Sequence, residues 1–129
     1  MLKVRGVRGA TTAEANTRAA ILEATRDLLQ RVIEANGIDS DDVAYAYFST
    51  SPDLQAEFPA VAAREMGWVT VPLICGHDMA VPDSLARCVR ILILWNTEKA
   101  QSEIQHLYLR EAAGLRRDIS GGEDAREGG

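Results

Sequence analysis

The sequence has few of the residues that metal sites and disulfide frameworks require. Its 129 residues include two cysteines, Cys75 and Cys88, and two histidines, His77 and His106, too few for a recognisable zinc or disulfide framework. We therefore expect a cytoplasmic protein with reduced thiols and no metal or other cofactor. No signal peptide is recognisable, and the longest apolar run, residues 91–95, is too short to span a bilayer. We expect no membrane association.

The chain also lacks an excess of basic residues. Fourteen Lys and Arg against 19 Asp and Glu give a net charge of −5, which argues against nucleic acid as the main partner, because phosphate binding needs a basic face. The length and the 47% hydrophobic content suit one soluble domain. We expect this single domain over residues 1–118, followed by a disordered, glycine-rich tail over residues 119–129.

Apolar residues at three- and four-residue spacing predict an amphipathic helix over residues 17–36. Thr17 is a suitable N-cap, and Gly37 stands where a C-cap glycine belongs. A second helical segment begins at Pro59, since proline fits the first helical turn. Residues 51–53 end the preceding extended pattern and are compatible with the start of another short helix.

Segments rich in β-branched and aromatic residues or continuously apolar predict strands. These are residues 2–12, 43–50, 68–75 and 88–95. Residues 76–83 are typical of a loop. Residues 104–115 have helix-favouring composition, but their alternating pattern favours a strand. The order of elements predicts an α+β domain with a mixed or antiparallel sheet.

Arginines are the residues that most strongly indicate a site. Arg90 interrupts the apolar segment CVRILILW, and a buried charge requires a partner, which is either an internal acid or an anionic ligand. Arg8 lies between glycines that let a ligand approach the backbone, and its guanidinium binds carboxylates bidentately. Arg64 and Arg116 are weaker candidates, because such arginines are usually solvated.

Groups for covalent catalysis are scarce. No convincing Ser-His-acid or Cys-His arrangement, phosphate-binding glycine loop or metal motif is present. Cys75 and His77, two residues apart, form a possible nucleophile pair, but a buried structural cysteine is the commoner explanation. An arginine-rich site without a nucleophile suits a reaction that needs only positioning and electrostatics.

Five stretches together resemble the AroH-class monofunctional chorismate mutases over residues 4–118. Their order and spacing are more specific than any single motif. They are VRGVRGATT, TSPDLQAEFPAVAAREMGW, VPLIC, LARCVRILILWNT and HLYLREAAGLRRD.

The resemblance implies an enzyme of aromatic amino acid biosynthesis that rearranges chorismate to prephenate without a cofactor. It also implies a mixed β-sheet flanked by helices, a chorismate-mutase-like pseudo α/β barrel formed as a homotrimer, and active sites between subunits. By the same resemblance, residues 104–115 are expected to be a strand.

The resemblance further assigns roles to single residues. Arg8 and Tyr108 are expected to hold a substrate carboxylate, and Arg90 to lie beside the ether oxygen. Asp78 replaces the family's usual glutamate, which accepts a hydrogen bond from the substrate hydroxyl, so its reach is one methylene shorter. The remaining expected binding residues are the wall residues Phe58, Leu73, Cys75 and Leu115, with Phe58, Leu73 and Cys75 from the neighbouring subunit; the outer arginines Arg64 and Arg116; and Ile74, Gly76 and His77.

Three other interpretations remain at this point. A Rid-type imine/enamine deaminase has a similar trimeric architecture and also binds a carboxylate through arginine. A non-catalytic protein that binds chorismate or prephenate would result if the aspartate at position 78 had abolished turnover. A purely structural trimer would require Arg90 to pair with an internal acid.

Overall fold

A five-stranded mixed sheet organises residues 1–115, the part of the chain that the computed structural model describes. Its spatial order is β3-β2-β4-β1-β5. Strand β4 pairs antiparallel with β1 and β2, whereas β2 with β3 and β1 with β5 are parallel. The predicted α+β class with a mixed sheet is confirmed. The strands are β1 (Lys3–Thr12), β2 (Val43–Thr50), β3 (Leu73–His77), β4 (Cys88–Thr97) and β5 (Leu107–Tyr108).

The main helix, α1 (Arg18–Asn36), begins and ends where the sequence predicts. The Thr17 side chain accepts a hydrogen bond from the backbone N–H of Ala20, so it caps an otherwise unsatisfied donor. Gly37 ends the helix with a φ of 66°, a left-handed conformation in which glycine is favoured. Helix α2 (Ala60–Glu65) follows Pro59, as expected.

Several predicted boundaries are wrong in detail. Residues 51–53 form a turn rather than the start of a helix. Residues 68–72 are irregular, so β3 begins only at Leu73, and it continues through Gly76 and His77, which the sequence assigned to a loop. The extension arises because β2 offers a complete parallel partner as far as Thr50, which pairs with His77.

The strand expected over residues 104–115 is mostly wrong. Only Leu107–Tyr108 pairs, with Gly9 and Ala10 of β1, and a 3₁₀ helix (Arg110–Gly114) follows. Arg110 turns the chain out of the sheet with a φ of 54°. Its guanidinium donates to the Thr12 carbonyl at 2.9 Å and to Glu23 at 2.9 Å. The bond to Glu23 is the main cause that raises the pKa of Arg110, and these contacts offset the strain of the left-handed backbone.

The two faces of the sheet differ in what covers them. On one face, Val7, Phe48 and Ile93 pack with Leu28 of α1 and Ala63 of α2 in the main core. Alternate strand residues point to the opposite face, which we call the open face; it carries Arg8, Tyr47, Ser49, Arg90 and Leu92. Within residues 1–115, no helix is both long and apolar enough to cross a membrane.

Candidate active site

A pocket on the open face brings together four of the predicted site residues. The cavity has a volume of about 210 Å³ and is lined by Arg8, Asp78, Arg90 and Tyr108. Arg8 lies on β1, Arg90 on β4 and Tyr108 on β5, whereas Asp78 directly follows β3. Each strand contributes the side chains that point away from the helices. The other lining residues are Gly9, Ala10, Tyr47, Ser49, Ile91 and Leu92.

Arg90 and Asp78 form an ion pair at the polar end of this pocket. The Arg90 Nε donates to Asp78 Oδ2 at 2.9 Å, and the two side chains are 24% and 17% exposed. Ser49 donates its hydroxyl proton to the other carboxylate oxygen, Oδ1. Ser49 lies opposite Arg90 in the β2–β4 register, so the strand pairing itself brings the serine, the acid and the arginine together.

The backbone holds Asp78 in this position. Its N–H donates to the Thr50 carbonyl at 2.7 Å, which extends the β2–β3 hydrogen-bonding pattern one residue past His77. The carboxylate is therefore attached to an ordered strand end rather than to a free loop. An internal acid partner for Arg90 is what the structural-trimer interpretation required, but this acid itself lines the pocket.

Arg8 is positioned through its backbone. Its N–H donates to Nδ1 of His106 at 3.0 Å, one residue before the β1–β5 pairing starts at Gly9 and Leu107. The imidazole thus takes the place that a strand carbonyl would have. Because Nδ1 accepts this bond, the ring proton of the neutral imidazole lies on Nε2.

Tyr108 is fixed by the packing of the chain around β5. It is buried with Ala10, Cys88 and Ala112, and Leu115 packs against the same cluster. The segment before it is held by the buried Asn36, whose amide donates to the Gln105 carbonyl at 2.9 Å and accepts from the Gln105 N–H at 2.8 Å. Leu115 therefore packs near Tyr108 but is not among the pocket-lining residues, and its role as a wall residue stays a prediction.

The remaining predicted wall residues lie elsewhere in the chain. Phe58, Cys75, Gly76 and His77 line a second pocket of about 320 Å³ at the β3 edge. Leu73 and Cys75 pack against the main core on the helix-covered face. One chain therefore does not bring Phe58, Leu73 and Cys75 to the pocket of Arg90, which lies on the other face.

Comparison with known proteins assigns the family. Residues 4–119 match the family model for chorismate mutase type I. The chain belongs to the type I chorismate mutases. It is 49% identical over 117 residues to a chorismate mutase AroH of Thermus thermophilus, covering 90% of this chain and 96% of that protein. It is 42% identical over 120 residues to a chorismate mutase AroH of Bacillus subtilis strain 168, covering 92% and 94%.

A solved structure supports the same assignment. A chorismate mutase from Clostridium thermocellum superposes with a TM-score of 0.84 at 42% identity, covering 85% of this chain and 98% of that one. The protein is thus a chorismate mutase, an isomerase of aromatic amino acid biosynthesis, as the sequence predicted. This result favours chorismate rearrangement over the deaminase, binding-protein and purely structural interpretations.

The nucleophile interpretation of Cys75 and His77 gains no support in this chorismate mutase. Burial is the main cause that raises the pKa of the Cys75 thiol, so it remains protonated at neutral pH and is a poor nucleophile. Nδ1 of His77 lies 3.0 Å from the Thr50 hydroxyl. Residues 1–115 contain no group of His, Cys, Asp and Glu that could hold a metal ion.

Some predicted residues lie outside the main pocket or outside the described chain. Arg64 is an exposed residue of α2, close enough to Cys75 to lower its pKa slightly. Ile74 points to the open face and is 59% exposed. Arg116 and the tail over residues 119–129 lie outside the described residues, so the predictions for them stay untested.

Two pocket residues with polar side chains were missed by sequence reasoning in this chorismate mutase. Tyr47 and Ser49 line the cavity beside Asp78, but in the sequence they belong to an ordinary strand, VAYAYFST. The signal that would have found them is their alternation with buried Ala46 and Phe48, combined with the pairing of Ser49 opposite Arg90.

Proposed function

We propose that the pocket of Arg8, Asp78, Arg90 and Tyr108 binds chorismate and catalyses its rearrangement. The observation that carries this proposal is the position of Arg90, a partly shielded guanidinium on an interior strand that lines this pocket. Arg8 and Tyr108 on the opposite wall hold one substrate carboxylate. Asp78 accepts the hydrogen bond of the substrate hydroxyl.

The reaction needs positioning and one well-placed cation. A carbon–oxygen bond breaks as a carbon–carbon bond forms within one molecule, so no proton transfer or covalent intermediate is required. Holding chorismate in its compact diaxial form supplies the entropic part of catalysis. Negative charge grows on the ether oxygen as its bond stretches, and Arg90 stabilises this transition state more than the ground state.

Asp78 has a second role in this proposal, because it orients the cation. Its Oδ2 accepts from Arg90 Nε at 2.9 Å, and a planar guanidinium fixed through Nε has little rotational freedom left. Ser49 in turn fixes the carboxylate. The guanidinium is therefore preorganised before the substrate arrives, which is where electrostatic catalysis gains its advantage over water.

We further propose that Phe58, Leu73 and Cys75 complete the site of a neighbouring subunit. Within one chain these residues lie on the opposite side of the sheet from Arg90. Phe58 is 66% exposed, an unfavourable state for a phenylalanine that a subunit contact would relieve. Arg64, an exposed residue of α2, lies at the mouth of this shared cleft and attracts the substrate dianion; the same role expected for Arg116 falls outside the described residues.

A homotrimer closed around the open faces fits the apolar surface there. Val4 and Ile74 are 54% and 59% exposed on this face, and Tyr45, Leu92 and Leu94 are half-buried beside them. Apolar side chains grouped on one uncovered sheet face favour an assembly that buries them. Three subunits would then form the pseudo-barrel with an active site in each cleft.

Mixing two inactive variants tests the shared site. Arg90→Ala removes the cation from one half of the cleft, and Phe58→Asp places a repelling charge in the other half. When the two variants are co-expressed in equal amounts, about a quarter of the clefts receive both intact halves. We expect each variant alone to be inactive on chorismate and the mixture to recover activity in about that proportion.

Mass measurement and one matched variant complete the experiment. Val69→Asp, which alters another exposed apolar residue, is expected to keep full activity and a trimeric mass. Hybrid trimers without recovered turnover would contradict the shared site. A monomeric mass for active wild-type protein would contradict the trimer, and loss of activity in Val69→Asp would show that Phe58→Asp acts only through general damage.

A further inference from the structure

Tyr47 lines the pocket together with the residues proposed to bind chorismate. It lies on β2, two residues before Ser49, and therefore shares the open face with it. It pairs with Leu92 of β4 on one side and with Ile74 of β3 on the other. Its half-buried side chain lines the same cavity as Asp78.

The phenol of Tyr47 occupies space that Gly76 leaves empty. A Cβ placed on Gly76 would lie 2.5 Å from the Tyr47 hydroxyl oxygen and 3.4 Å from Cζ of the ring. The first distance is a severe clash with the hydroxyl, whereas the second is close to ordinary contact. Any residue other than glycine at position 76 would displace the hydroxyl of Tyr47.

Backbone conformation does not account for this glycine. The glycines with positive φ in residues 1–115 are Gly37 and Gly67. Gly76 instead lies in regular β3 pairing with Ser49, a setting in which glycine weakens a strand. Close approach of another group is the usual reason for such a glycine, and here the approaching group is the Tyr47 hydroxyl.

Tyr47 lines the same pocket as Asp78, the acid proposed for the substrate hydroxyl. Both oxygens of Asp78 already accept a protein hydrogen bond, one from Ser49 and one from Arg90. Aspartate also reaches less far than a longer acid would. A phenol hydroxyl both donates and accepts, so it provides the additional polar group that a ring hydroxyl needs in this pocket.

We propose that Tyr47 is a specificity-determining residue whose phenol hydroxyl binds the ring hydroxyl of chorismate together with Asp78. Gly76 admits the phenol to this position, so the two residues act as one unit. This inference rests on the proposed site, but its tests compare variants that differ near the ring hydroxyl and leave Arg90 unchanged.

The first experiment pairs a variant with a substrate analogue. Tyr47→Phe removes only the hydroxyl, and we expect kcat/KM for chorismate to fall by about fivefold, the scale of one neutral hydrogen bond. An analogue that lacks the ring hydroxyl serves as a competitive inhibitor. Its Ki is expected to be equal for wild type and Tyr47→Phe, because the lost partner is absent from the analogue.

Tyr45→Phe is the matched control, since Tyr45 lies on the same strand and is not among the pocket-lining residues. We expect it to change neither quantity. An unchanged kcat/KM in Tyr47→Phe would overturn the proposal. If kcat/KM for chorismate and the affinity for the analogue fell by the same factor, the proposal would also be overturned, because that pattern indicates a structural effect on the whole pocket.

The second experiment tests the Tyr47–Gly76 unit. Gly76→Ala in the wild-type background is expected to lower kcat/KM by about fivefold, as Tyr47→Phe does, because the methyl group displaces the same hydroxyl. In the Tyr47→Phe background the same change is expected to cost about twofold at most, since the clashing atom is gone. Equal losses in both backgrounds, or no loss in either, would contradict the geometry.

Wild-type turnover separates this inference from the proposed function. If wild-type protein converts chorismate and Arg90→Ala does not, the proposed function stands whatever the Tyr47 variants show.

Discussion

Asp78 accepts a 2.9 Å hydrogen bond from Arg90 Nε, so the acid proposed for the substrate hydroxyl also holds the cation proposed for catalysis. Ser49 anchors the second oxygen of the same carboxylate. The three side chains come from β2, β4 and the end of β3, and each depends on the pairing of these strands. In the proposed mechanism, one aspartate therefore couples substrate binding to transition-state stabilisation.

Ser49→Ala tests the anchor on Asp78. Without the hydroxyl, the carboxylate loses one of its two donors and the guanidinium becomes less well oriented. We expect kcat to fall by about tenfold or more, the scale of one hydrogen bond to a charged group. Steady-state kinetics on chorismate measure this. Ser102→Ala, at an exposed site, is the control, and equal rates in both variants would show that the anchor has no catalytic role.

His106 provides a test of how Arg8 is positioned. His106→Leu removes the acceptor for the Arg8 N–H, and we expect kcat/KM to fall by about tenfold as the arginine shifts from the carboxylate. His106→Asn retains an acceptor oxygen at a similar distance from the backbone and is expected to recover most of the activity. Equal losses in the two variants would indicate that the imidazole acts in some other way.

The buried thiol of Cys88 is expected to make the folded protein less stable at alkaline pH. Burial is the main cause that raises its pKa from 9.0 to about 11. Between these values the unfolded chain has released the thiol proton and the folded chain has not, so the free energy of unfolding falls as pH rises. A rise of the pKa from 9.0 to about 11 corresponds to about 3 kcal/mol of folding stability lost once the pH exceeds the pKa of the folded state.

Denaturant unfolding of wild type and Cys88→Ala between pH 8 and about 11 measures this effect, because other titrating groups are common to both proteins. The difference in stability is expected to narrow as pH rises. Parallel curves would show that the thiol does not contribute.

Local patterns in the sequence were sufficient to predict the elements that are stabilised by their own residues. Helix α1 carries its own cap residues, Thr17 and Gly37, and both lie where predicted. The apolar run around Arg90 also predicts β4, although the strand extends to Thr97. The strand prediction for residues 104–115 was mostly wrong, because Arg110 adopts a left-handed conformation that ends β5 and is held by contacts with Thr12 and Glu23. No local pattern in the sequence reveals these contacts.

The site shows the same limit. Arg8 and Arg90 were candidates from the sequence itself, Asp78 and Tyr108 were found through the family resemblance, and the fold brings all four into one pocket. Tyr47 was missed because its importance depends on a glycine 29 positions away in sequence and adjacent in space. Such a contact follows from strand register, which a single sequence does not specify. The cytoplasmic location, the domain boundary at residue 118 and the independence of cofactors stay predictions.

The disappearance of chorismate, followed by its ultraviolet absorbance, tests the central role of Arg90 most directly. Wild type is compared with Arg90→Gln, a neutral side chain of similar shape, after the variant's fold and mass have been verified. We predict that kcat falls by at least about 100-fold, near 3 kcal/mol, the scale of one preorganised electrostatic contact. A variant that retains turnover within about tenfold, or 1.4 kcal/mol, would contradict the proposal that this cation stabilises the transition state.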